Sequence, residues 1–61
     1  MTDQEIKDHF KQPVVYKFNG TISELHDMCV ALSASYNYLI DNHQIYFVSP
    51  VAVSDNRVVE I

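Results

Sequence analysis

The sequence predicts a small α+β protein, a two-layer sandwich with one main helix over about residues 21–35. That helix packs on a small mixed sheet of three to four strands, and a short extra helix stands at the N-terminus. Three observations predict it. Thr2 with Glu5 and Thr21 with Glu24 are both capping-box pairs, in which a hydroxyl and a carboxylate three residues apart satisfy the free N–H groups that open a helix. Leu25, Met28, Cys29, Leu32 and Tyr36 recur at helical spacing and form one apolar stripe. "NYLIDNHQIYFVS", residues 37–49, carries two apolar runs around Asn-His, which suits a tight hairpin.

In chain order, the first element is a short helix from Thr2 to about Lys11, stopped by Pro13. Ile6 and Phe10 lie one turn apart on it. A helix this short does not persist alone in water, so it must dock or fray. "VVYKFNG", 14–20, is the first strand, with Val14, Tyr16 and Phe18 on one face and Val15, Lys17 and Asn19 on the other. Gly20, the only glycine, suits the tight exit from it. The long helix follows and is expected to end at Asn37 in the left-handed conformation.

The hairpin is expected to turn at Asn42-His43, because asparagine favours positive φ and histidine tolerates it. Asp41 then faces Gln44, Ile40 faces Ile45, Leu39 faces Tyr46 and Tyr38 faces Phe47. Tyr38, Ile40, Ile45 and Phe47 share one face, while Leu39, Tyr46 and Val48 share the other. After Pro50, which should bend the chain or sit at a sheet edge, "SDN" precedes a last strand at about 57–61. The first two strands flank a helix and are expected to run parallel, so the sheet should be mixed.

Sixty-one residues make one domain, 1–61, and bury only about 60% of the unfolded surface, so stability is marginal. Such folds commonly lean on disulfides, metals or a partner. Cys29 is the only cysteine, which excludes an internal disulfide and fits a reducing compartment. No apolar run reaches the roughly 18 residues of a membrane span, and the acidic, polar start is no signal peptide. If the chain is the complete gene product, its expected location is the cytoplasm. With net charge −4 and only Lys7, Lys11, Lys17 and Arg57 as cations, it lacks the clustered positive charge that nucleic acids require. Asp3, Glu5 and Asp8 make a small acidic start, but the other carboxylates are too dispersed for a nucleic-acid mimic.

The residues that carry chemistry are few. His26 and Cys29 stand three apart on a helix, a spacing at which two ligands can share a metal, with His9 or His43 as possible completions. Cys29 belongs to the core stripe, however, where a thiol behaves as a small hydrophobe. The same placement counts against a Cys–His nucleophile, which needs partial exposure and a positive setting. Glu24 and Asp27 read as first-turn acids of the helix. One glycine makes no phosphate loop, and a concavity of about 300 Å³ is hard to build at this size. The expectation is therefore no enzyme, no cofactor and no metal, with a small His/Cys metal-binding protein as an alternative.

One helix covers one sheet face, which leaves Leu39, Tyr46 and Val48 to be covered by something else. The candidates are the N-terminal helix through Ile6 and Phe10, a second copy, or another protein. These five residues are the expected partner-binding set, since tyrosine offers apolar bulk with a polar tip. The expected function is a non-enzymatic protein-binding module, a small inhibitor or adaptor of the kind carried by phages and other mobile elements. It would act by surface occlusion or by docking at a sheet edge. A homodimer is compatible with the same features.

From Phe18 to Val48, "FNGTISELHDMCVALSASYNYLIDNHQIYFV" resembles the N-terminal periplasmic module of bacterial secretins. Gly20, Ile22, Glu24 and Leu25 match the phrase that opens the helix in those modules. The resemblance implies a strand, a capped helix and a hairpin within a larger secretion or pilus assembly.

Overall fold

In the computed structural model, which describes residues 1–61, the elements run α1 (Asp3–Phe10), β1 (Tyr16–Phe18), α2 (Ile22–Ala31), β2 (Asn37–Asp41), β3 (Gln44–Val48) and β4 (Val58–Glu60). Both helices open as their sequences dictate. Thr2 and Thr21 each accept from the N–H of the glutamate three residues on, at 3.2 Å, and that glutamate accepts from the threonine N–H at 3.0 Å. α1 closes at Lys11, which takes the left-handed conformation at φ 56°.

α2 is shorter than expected. It stops at Ala31, because Ser33, not Asn37, adopts the left-handed conformation, at φ 53°. The Ala34 N–H then bonds to the Cys29 carbonyl and the Ser33 N–H to the Val30 carbonyl, a Schellman closure of the last turn. Leu32 consequently falls at the cap and is half exposed, and Tyr36 packs on the core from the loop.

The hairpin turns at Asn42 (φ 50°) and His43 (φ 65°), and all the anticipated pairs form, with Asn37 opposite Val48 as a fifth. The four strands stand in the order β2-β3-β1-β4, and every neighbouring pair is antiparallel. The mixed sheet is therefore corrected. β1 and β2 do run in the same direction, but β3 lies between them and bonds antiparallel to both. The loop after β3 lets β4 add to the free side of β1.

Two cores result. Leu25, Met28 and Cys29 of α2 pack on Tyr16, Phe18, Ile45 and Phe47, and Val53 from the last loop joins them with its N–H 3.4 Å from the Tyr16 hydroxyl. On the opposite face Ile6 and Phe10 of α1 close over Val15, Val48, Leu39, Tyr46 and Ile61.

Gly20 has no positive φ, so it is not there for a left-handed turn. A Cβ at that position would lie 2.6 Å from the Phe18 ring, and the residue is glycine because the ring needs the space.

Candidate functional site

Leu39, Tyr46, Val48, Ile6 and Phe10 do come together, as a second core and not as an open face. Ile6 is fully buried, Val48 nearly so, and the other three are half-buried against them. The fold supplies the cover itself: α1 must bury Ile6 and Phe10 somewhere, and the apolar face of the hairpin is the surface within reach.

The exposed apolar groups of the hairpin lie on the other side. Tyr38 and Ile40 share the face of Ile45 and Phe47, and α2 was expected to cover all four. It covers only the last two; Tyr38 is 50% and Ile40 53% exposed. A helix is about 10 Å across and strands stand about 4.8 Å apart, so one helix spans two or three strands. α2 sits over β3 and β1, and β2 at the sheet margin is left out.

β2 is an open edge. A two-residue turn is closed by a pair that exchanges both hydrogen bonds, and bonded and non-bonded pairs alternate from there. Asp41, Leu39 and Asn37 are thus bonded to β3, and the N–H and C=O groups of Tyr38 and Ile40 point away from the sheet. No side chain bonds to them within the chain. Beside the edge, the Tyr36 and Tyr38 rings lie 6.1 Å apart, and His26 Nδ1 is 3.1 Å from the Tyr36 hydroxyl. At its far end, Asp41 holds the α-amino group of Met1 at 2.9 Å and raises its pKa through the hydrogen bond and the charge.

Elsewhere the polar groups serve the fold. Arg57 forks onto Asp55 at 3.0 and 3.1 Å, reaches Glu24 at 3.6 Å and lies 5.3 Å over the Phe18 ring. The hydrogen bond from Arg57 holds the Asp55 carboxyl below its usual range. Cys29 is buried, and burial raises its thiol pKa, the opposite of what a nucleophile requires. No group of three or more His, Cys, Asp or Glu side chains converges as metal ligands.

The surface carries open hollows of about 330, 360 and 410 Å³. The largest combines Lys17, Asp41, Gln44 and Tyr46 with Met1 and Asn42, and the Asp41–Met1 ion pair lies in its lining. No helix is long and apolar enough to cross a membrane.

Tyr38 and Ile40 are the apolar residues that the sequence places beneath α2 and the structure leaves exposed. Their shared face was legible, but their place at the margin was not. The short reach of a helix across a four-stranded sheet was the available signal.

No family model, curated protein or solved structure matches the chain, so the likeness to the secretin module rests on Gly20, Ile22, Glu24 and Leu25 alone.

Proposed function

We propose that this chain is a protein-binding module without chemistry of its own, an inhibitor or adaptor that docks through the β2 edge. One observation carries the reading: an unpaired edge strand presents two half-exposed apolar side chains, Tyr38 and Ile40, on the same face. An extended segment added there would gain main-chain hydrogen bonds from Tyr38 and Ile40 and side-chain contacts from the same two residues. Tyrosine is enriched among the residues that dominate such contacts.

The test compares the wild-type chain with Ile40→Lys. Partners captured from the native host are identified by mass spectrometry, and their affinity is then measured with purified components. A lysine in the middle of an edge strand disfavours strand addition. The expected loss is at least about tenfold, near 1.4 kcal/mol. Val59→Lys, at an exposed position on β4, serves as the control and should bind as wild type does. Equal binding by Ile40→Lys would remove the edge from consideration.

A further inference from the structure

We infer that a second copy of this chain occupies the β2 edge, pairing antiparallel about a two-fold axis at Leu39. This rests on the same open edge as the docking reading, and since the edge accepts one strand at a time, the second copy occupies it when no target protein does. The strand is self-complementary. Pairing about Leu39 sets Tyr38 opposite Ile40 of the second copy and Ile40 opposite its Tyr38. Those two residues carry the outward N–H and C=O groups, so every outward group of the strand finds a partner in this register. Sliding by two residues instead pairs one of them with Tyr36 or with the turn residue Asn42.

The side chains agree with the backbone. Tyr38 and Ile40 form two aromatic–β-branched pairs across the junction, a favourable cross-strand combination. All four lie on the α2 face, where each gains an apolar neighbour across the junction beside the area that α2 leaves bare. Asn37 falls opposite Asp41 of the second copy, so no like charges face each other. Each Asp41 is already compensated by the Met1 amino group at 2.9 Å.

The one charge on the β2 edge, Asp41, stands at its end and is held by the Met1 amino group at 2.9 Å, so the central residues Tyr38 to Ile40 are unguarded. Residues 37–41 contain no lysine, arginine or proline, and they pair one to one with β3 without a bulge. A five-residue strand is only about 17 Å long, which puts the contact among small, transient interfaces.

Amide hydrogen exchange on the full chain, from about 10 µM to about 1 mM, tests this over the range of a weak contact. The Tyr38 and Ile40 amides should slow about tenfold at the higher concentration, as newly bonded groups do. The Leu39 amide, bonded to β3 in either state, is the internal reference. Ile40→Lys should abolish the concentration dependence while Leu39 stays protected. Tyr38 and Ile40 rates that do not change with concentration, or a dependence that survives Ile40→Lys, would overturn the dimer. If those rates are constant but a different protein binds in a manner lost in Ile40→Lys, the second copy is refuted and the docking reading stands.

Discussion

Ser33 holds a left-handed conformation that glycine adopts without a Cβ penalty, at the position where Schellman closures usually carry glycine. Ser33→Gly should therefore stabilise the protein by about 1 kcal/mol, offset in part by the greater freedom of glycine in the unfolded chain. In a domain of this size that corresponds to a rise of roughly 4–8 °C in Tm. A melting temperature that falls would mean that the αL closure of α2 is not formed in solution. Gly20→Ala acts in the reverse direction. Its methyl would meet the Phe18 ring at 2.6 Å, and Phe18 is buried, so the ring cannot yield freely. Overpacking of this kind costs about 1–3 kcal/mol, measurable by urea denaturation. A neutral result would place the Phe18 ring elsewhere.

At the scale of elements, the decisive contact is α1 on the outer face of the hairpin. Eight residues cannot hold a helix alone, and its capping box adds only about 1 kcal/mol, so Ile6 must anchor it. Ile6→Ala should cost about 2–5 kcal/mol. A core of this size supplies only about 3–5 kcal/mol, so the variant should be largely unfolded or have α1 detached. Amide exchange distinguishes those cases, since detachment exposes α1 while β3 stays protected. Unchanged protection throughout would contradict the second core. The same contact explains why Leu39, Tyr46 and Val48 do not form the open face that alternation alone suggests.

At the scale of the whole molecule, stability depends on pH through three carboxylates. Glu5 and Glu24 are held low chiefly by the N–H groups of Thr2 and Thr21, and Asp55 by the Arg57 side chain. Each folded pKa lies below its unfolded value. Their contribution is therefore fully present above about pH 5 and is lost as pH falls through the folded values. Melting temperature should be flat from about pH 7 to pH 5 and decline below about pH 4. Glu24→Gln should make that decline shallower, and an unchanged acid profile would mean that the cap and the Arg57 contact are not formed. The net charge of −4 also acts at this scale. Two acidic copies repel at long range, so added salt should strengthen the edge-to-edge dimer where it would weaken an oppositely charged complex.

The amino-acid sequence by itself determined both helix starts, the bend at Asn42-His43 and the full register of the hairpin. Each depends on residues within a few positions of one another, a hydroxyl and a carboxylate three apart or two residues that accept positive φ. Only the tertiary structure decided the strand order, the antiparallel pairing of β1, the closure of the outer face by α1 and the exposure of Tyr38 and Ile40. Those outcomes depend on which distant surfaces meet and on how many strands one helix can span. Alternation along a strand names the two faces, but not what lies over either one.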